Sequence, residues 1–348
     1  ILKIEEERFT EALSRGLIIL EKKIKQNTTG TLEGEILFEL YDTYGFPVDI
    51  TKDVAGEHGL EIDMIGFELL MEKQKLLAKS ASKFGEDVGF NGLLKSTVDS
   101  REFTQKFCGY DNNQNVSKVV SVYSDGLKTN KLLKNQPGIL CIEETPFYAE
   151  SGGQIGDIGA IKSRGGLFEV RDTRVINNIH LHIGELVEGE IRDGEKVEAK
   201  INTDTRTNTT IHHSATHLLH AALRYELGKG VGQKGSYVAA NRMRFDFSYP
   251  EAISDFQLRK IETLVNSKIR ENLEVETRIM DTSDAINSGA IAFFDEKYGD
   301  KVRVLSMGDF SIELCGGTHV SQTGELGYFK ILSESSIGSG TRRIEALC

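Results

Sequence analysis

His213-Ser214-Ala215-Thr216-His217 and, far along the chain, Cys315-Gly316-Gly317-Thr318-His319 are the two stretches around which this 348-residue sequence is organised. On a helix, residues four apart stand one above the other, so both imidazoles of the first stretch can aim at a single point. In the second, the paired glycines can take backbone conformations closed to other residues, which would let the chain turn back and bring a thiolate and an imidazole together. Three imidazoles and one thiolate suit a borderline-soft ion of tetrahedral preference, and Zn2+ is the expected metal. Either motif alone describes many solvated or core-packed histidines; the pair carries the reading. His212 points about 100° away from His213, and His220 lies on the His213 face but roughly 10 Å farther along the axis. Both are expected to be structural or solvent-facing.

Around these motifs, residues 206–348 read as an α+β domain with an antiparallel or mixed sheet. Thr207, Thr209 or Thr210 is expected to cap the helix of His213 and His217, which carries Leu218, Leu219, Ala222, Leu223 and Leu227 and ends at Gly228. Tyr237 to Ala240 and Arg242 to Phe247 predict a strand pair, with Arg242, Arg244 and Asp246 on one side of the second strand. A helix over 255–270, a strand from Val275 to Met280, a helix from Thr282 to Ile291, a strand from Val302 to Ser306 and a strand from Gly327 to Ser333 follow.

Residues 96–205 predict a small β-barrel or sandwich. Runs rich in β-branched residues (Val116 to Tyr123, Gly138 to Ile142, Gly166 to Val175, His180 to Ile183, Lys196 to Ile201) are separated by turn signals at Asp125-Gly126, Pro137-Gly138, Arg164-Gly165-Gly166 and Asp193-Gly194. Within them, the glycine-rich segment from Pro146 to Gly159 invites the close approach of another backbone or a ligand and lacks the ending of a P-loop. Residues 1–95 read as helical. One long helix comes first, a second runs from near Glu33 to a stop at Gly45-Phe46-Pro47, a third is capped by Thr51, and a fourth follows Asp63. A linker is expected between Phe84 and Gly92. The fold class is thus α+β multidomain: an N-terminal helical segment, a small barrel, then an α+β domain with the zinc site.

The net charge is −11, but residues 206–348 hold 17 Lys and Arg against 18 Asp and Glu, so nearly all the excess lies in residues 1–205. The half with the metal motif is close to neutral, and Arg242, Arg244, Arg342 and Arg343 stand in pairs suited to a phosphate backbone. No run approaches the roughly 20 apolar residues of a membrane span, and no secretory signal opens the chain. The four cysteines, Cys108, Cys141, Cys315 and Cys348, show no paired spacing, which fits a reduced, cytoplasmic protein. The first residue is not Met and lies inside a helical pattern, so an excised piece of a longer chain is expected.

The segments HSATHLLHAALR, GQKGSYV, RMRFDFS, VRVLSMGDFSIELCGGTH and GTRRIEA resemble the editing domain of the alanyl-tRNA synthetase family. PFYAESGGQIGDIG is similar to the barrel that precedes it, and LYDTYGFPVDIT to the end of the family's helical tRNA-recognition region. The resemblance covers essentially the whole chain and implies hydrolysis of the ester in tRNA(Ala) mischarged with serine or glycine. The physical need is one of sieving: a pocket for alanine cannot exclude smaller glycine by bulk, and rejects an added hydroxyl only by about a hundredfold. The family's zinc ligands fall on His213, His217, Cys315 and His319, and Gln233 falls on a position lining the editing pocket near the amino-acid hydroxyl. Gln233 and Cys315 are the expected catalytic residues.

Four protein ligands make a closed site, so water is expected to replace a labile one if the ion is catalytic. Ser214 stands where HExxH hydrolases carry their Glu base, which argues against a metallopeptidase. The acceptor end of tRNA(Ala) is the expected partner, with Lys234, Arg242, Arg244, Arg342 and Arg343 as phosphate contacts. The family also uses an acidic residue near LYDTYGFPVD to read an acceptor-stem base pair; Asp42 and Asp49 fit, Asp42 preferred. An aminoacylation core is not expected within this piece, and alanine activation is expected of the parent chain only. The alternative from another class is a non-catalytic tRNA-binding module with a structural zinc.

Overall fold

The computed structural model describes residues 2–81, 104–291 and 299–348; the expected linker from Phe84 to Gly92 lies outside them. Two compact units, Ile1–Gly92 and Leu93–Cys348, make up the chain.

In the first unit, helix α1 (Leu2–Gln26), strand β1 (Thr31–Leu32), helices α2 (Gly34–Tyr44) and α3 (Val48–Glu57), strand β2 (Glu61–Ile62) and helix α4 (Met64–Ala81) follow one another. Leu20, Leu32, Leu37, Leu40 and Phe46 form its core. Gly45 ends α2 in the left-handed region (φ 65°), and the Phe46 amide then donates to the Leu40 carbonyl at 2.9 Å. This turn drops the Phe46 ring against Gly16, where a Cβ would collide with it. Thr51 is not the cap of α3. Pro47 takes that place because its fixed φ suits a helix start, and Thr51, a turn further in, donates its hydroxyl to the Pro47 carbonyl at 3.2 Å.

The second unit opens with strands β3 (Lys106–Phe107), β4 (Gln114–Ser124), β5 (Leu127–Thr129), β6 (Lys131–Leu133), β7 (Pro137–Ile142), β8 (Glu144–Thr145), β9 (Gly159–Lys162), β10 (Gly166–Ile176), β11 (Ile179–Arg192) and β12 (Lys196–Ile201). Six of them close an antiparallel barrel in the order β10-β9-β12-β4-β7-β11 and back to β10. Val119, Val122, Leu140, Ile161, Phe168 and Leu186 fill it. Pro137-Gly138 lies inside β7 rather than in a turn; the left-handed turn residue is Asn135 (φ 64°). Strand β11 runs well past Ile183, because Gly184 and Gly189 mark close strand approach rather than chain breaks. A Cβ at Gly184 would meet the Glu169 carbonyl, and one at Gly189 that of Gly165.

The remainder comprises α5 (Thr203–Leu227), β13 (Gln233–Ala239), β14 (Arg242–Ser248), α6 (Asp255–Arg270), β15 (Val275–Asp281), α7 (Thr282–Asn287), β16 (Lys301–Met307), β17 (Ser311–Leu314), a 3-10 turn (Thr323–Leu326), β18 (Lys330–Gly338) and β19 (Thr341–Leu347). Two antiparallel sheets result, β13-β14-β19-β18 and β15-β16-β17. Leu218, Leu219, Ala222 and Leu223 of α5 pack with Ile261 and Val265 of α6 and with Met243, Phe245 and Phe247 of β14. Each fully buried large side chain contributes about 1.5–3 kcal/mol. Asn202, not a threonine, caps α5: its side chain accepts from the Thr205 amide at 3.0 Å, so the helix begins a turn earlier than expected. Helix α7 stops at Asn287 instead of Ile291, since Gly289 (φ 84°) breaks it and Ile291 bridges to Glu313. Gly327 (φ 71°) likewise delays β18 to Lys330. No helix of the described residues is long and apolar enough to cross a membrane.

The glycine-rich segment after β8 meets another backbone. Gln154 bridges in parallel to Val238 on the edge of β13, with Val238 N donating to Gly153 O at 2.7 Å and Ile155 N to Val238 O at 3.1 Å. Arg206, in the first turn of α5, fastens the base of this arm. It forms a forked ion pair with Asp157 and donates to the carbonyls of Gly109 (2.7 Å) and Pro146 (2.9 Å).

Inside the barrel, His182 donates from Nδ1 to the Leu140 carbonyl (2.8 Å) and accepts the Thr145 hydroxyl at Nε2 (2.7 Å). Burial pushes its imidazole down to about 3. A histidine held neutral in the fold and free to protonate near 6.5 when unfolded stabilises fully above that value and progressively less as pH falls toward 3. The loss is on the order of 4 kcal/mol by the lower end of that window. Stability measured by urea unfolding is expected to decline more steeply between pH 6.5 and 4 in the wild type than in His182→Gln; parallel curves would refute the assignment.

Candidate metal centre

Helix α5 places His213 and His217 one turn apart with nearly parallel rings (centroids 5.3 Å, planes at 16°). The turn after β17 brings Cys315 and His319 to the same point. The Cys315 Sγ lies 3.4 Å from His213 Nε2 and 3.3 Å from His319 Nε2, and the ligand atoms of all four residues lie within 4.8 Å of one another. Neither Gly316 nor Gly317 has the positive φ expected of it; glycine at 317 serves close approach instead, since a Cβ there would strike the His213 ring.

A partner outside the ring fixes each imidazole. Gln154 Oε1 accepts from His213 Nδ1 (2.7 Å), and Glu313 Oε2 accepts from His217 Nδ1 (2.8 Å). The Ser214 hydroxyl, which donates to Thr210 O, accepts from His319 Nδ1 at 3.2 Å. With every Nδ1 bonded outward, every Nε2 faces the common point, the orientation a metal requires. Ser214 thus orients a histidine from the position where HExxH hydrolases carry a base. His217 Nε2 is buried and has no hydrogen-bond partner among the described residues, the kind of orphan atom that coordination satisfies.

Charge points the same way. Desolvation opposes a thiolate at Cys315, yet His213, His319 and His217 hold its thiol well below the ordinary value. Desolvation likewise opposes the Glu313 carboxylate, and His217 and His220 hold it below the usual carboxylate range. Two anionic groups in a desolvated pocket match a divalent cation, so the residues present fit zinc.

Three of the four, His213, His217 and Cys315, line a cleft of about 290 Å³ together with Tyr148, Thr216, Gln233, Ser236, Lys301 and Arg303. Gln233 therefore shares the cavity with His213, His217 and Cys315; its Nε2 donates to Ser236 Oγ at 3.3 Å. His212 is taken up elsewhere, bonded to Ala239 O (2.8 Å) and to the Cys348 amide (3.2 Å). His220 shares Glu313 with His217, at 3.1 Å.

The expected cations are distributed differently from what their pairing in sequence suggested. Arg342 and Arg343 are neighbours on a strand and so project from opposite faces. Arg342 forks onto Glu334 (Nη2–Oε2 2.6 Å) and Arg343 onto Asp246 (2.7 and 2.8 Å). Arg244 lies 3.8 Å from Asp246, and with Arg242 it flanks the Tyr237 ring at 5.8 and 6.0 Å. Lys234 and Arg242 are exposed. In the N-terminal unit, Asp42 is exposed and accepts from Gln74 Nε2 (2.6 Å), while Asp49 lies exposed in the first turn of α3. Gln154, Glu313, Arg303 and Tyr110 belong to the surroundings of the ring and were not singled out from the sequence; the first three lie inside the quoted family-like segments, and Tyr110 lies outside them.

Comparison with known proteins adds an independent finding. Residues 1–205 match the family described as tRNA synthetases class II (A), and residues 302–345 match the threonyl and alanyl tRNA synthetase second additional domain. The chain is 49% identical over 347 residues to the alanine-tRNA ligase of Haemophilus influenzae (strain PittGG). It is 47% identical over 350 residues to that of Nitrosococcus oceani. Each match covers 100% of this chain and 39% of the relative.

Proposed function

This chain belongs to the class II alanyl-tRNA synthetase family, and we propose that it carries that family's post-transfer editing site, which hydrolyses Ser-tRNA(Ala) or Gly-tRNA(Ala). The observation carrying this reading is the convergence of His213, His217, Cys315 and His319 on one point in the wall of a cleft that Gln233 also lines. The chain spans 39% of its relatives' length, and ligation of alanine to tRNA is proposed for the whole enzyme.

In this reading the four residues would hold Zn2+, which would supply Lewis acidity toward the ester carbonyl or the attacking water. The chain's own groups do the rest. Gln154, Glu313 and Ser214 keep the imidazoles in register, and Gln233 offers an amide to the hydroxyl that distinguishes serine from alanine. Lys234 and Arg242 meet the phosphates of the acceptor end, with Arg244, Arg342 and Arg343 tied more closely to the sheet by their carboxylates. Asp42 reads the acceptor stem.

The test is release of serine from Ser-tRNA(Ala) by the purified chain with zinc and after chelation. Metal-dependent turnover supports the enzyme; binding of tRNA without release supports the alternative, a binding module with a structural zinc, to which a closed four-ligand set is suited. Gln233→Ala is expected to narrow the ratio of seryl to alanyl ester hydrolysis by roughly tenfold, the worth of one hydrogen bond to the substrate. Equal ratios in the variant and the wild type would remove Gln233 from discrimination.

A further inference from the structure

The turn that presents Cys315 has no side chain of its own at positions 316 and 317, so its shape must be set by bonds to its backbone. All three of its carbonyls accept hydrogen bonds from side chains outside the turn. Arg303 Nη1 donates to Cys315 O (3.0 Å) and to Gly317 O (2.9 Å), and the Tyr110 hydroxyl donates to Gly316 O (2.6 Å). The guanidinium lies over the Tyr110 ring, 4.5 Å from its centroid, and is anchored by Nη2 to Thr277 Oγ1 at 3.2 Å. With the carbonyls turned outward, amides turn inward: Gly317 N donates to the Cys315 Sγ at 3.4 Å, and Thr318 N to Gln154 Oε1 at 3.0 Å. A carbonyl facing the sulfur would instead oppose its negative charge.

We propose that Arg303 and Tyr110 act as a positioning clamp, holding the Cys315–Gly317 turn so that its thiolate enters the four-residue metal centre. Tyr110 sits in the turn preceding β4, so the barrel half supplies one jaw and β16 the other. The inference rests on the metal reading of the site and adds two residues that act on the ion only through the backbone that carries Cys315.

The experiment uses the full 348-residue chain loaded with Co2+, whose near-ultraviolet sulfur-to-metal charge-transfer band reports the thiolate bond directly. Arg303→Met is expected to weaken or shift that band and to lower metal affinity roughly ten- to a hundredfold, as loss of an outer partner does. Tyr110→Phe, which removes only an exposed hydroxyl, is expected to produce a smaller change of the same kind. Arg303→Lys, keeping the charge but losing the fork, should rescue only in part. Should Arg303→Met fail to fold, Tyr110→Phe carries the test. Bands and affinities in Tyr110→Phe and Arg303→Met that match a cobalt-loaded wild type overturn the clamp alone. A wild-type chain that takes up no Co2+ overturns the metal reading and the clamp together.

Discussion

Cys315→Ala is expected to reduce zinc from about one ion per chain to a small fraction of that, and to slow serine release from Ser-tRNA(Ala) by at least about a thousandfold. The size follows from what a metal ion contributes at a reacting carbonyl, several kcal/mol, with each 1.4 kcal/mol worth about tenfold. Removing the thiolate also leaves three neutral imidazoles and one buried carboxylate, a poorer match for a divalent ion. Metal analysis after dialysis and a deacylation time course read the two losses separately. Cys348→Ala, which alters a thiol outside the ring, should retain the ion. Full zinc occupancy in Cys315→Ala would exclude that residue as a ligand.

Arg206→Ala carries the largest expected effect on stability. Both members of the Arg206–Asp157 pair are buried, and the guanidinium also satisfies the Gly109 and Pro146 carbonyls. Truncation strands a carboxylate in the interior, which costs about 3–5 kcal/mol and lowers Tm by on the order of 10 °C in a unit of this size. Replacing both partners by apolar residues, Arg206→Met with Asp157→Leu, is expected to recover much of the loss, because no charge is then left unpaired. Thermal unfolding of the single and double variants distinguishes the cases. A single variant within 1 °C of wild type would show that the pair contributes nothing net.

The ring itself was legible in the sequence because helical periodicity and paired glycines are local rules: HxxxH needs only one helix, and CGGTH only one turn. The same locality explains what stayed hidden. Gln154 orients His213 from a separate segment, and Glu313 links His217 to His220 from β17; both lie inside quoted family-like segments, but no spacing rule ties either to a histidine, and only tertiary approach gives them that role. The glycine-rich stretch was readable as a place of close approach, but not as an arm on β13. Arginines 342 and 343 misled for a related reason. Two adjacent cations look like one patch in a string of letters, whereas a strand sends them to opposite faces, where Glu334 and Asp246 await them. Strand β11 was cut short because glycine signals both a turn and a tight barrel corner, and only neighbouring strands tell the two apart.

The docking of residues 153–155 along Val238 has a consequence for solubility. A sheet border with bare amides and carbonyls is a template on which another molecule can add a strand. Here the barrel's own loop occupies that border, so a shortened protein beginning at α5 would expose it and tend to self-associate, whatever became of its chemistry.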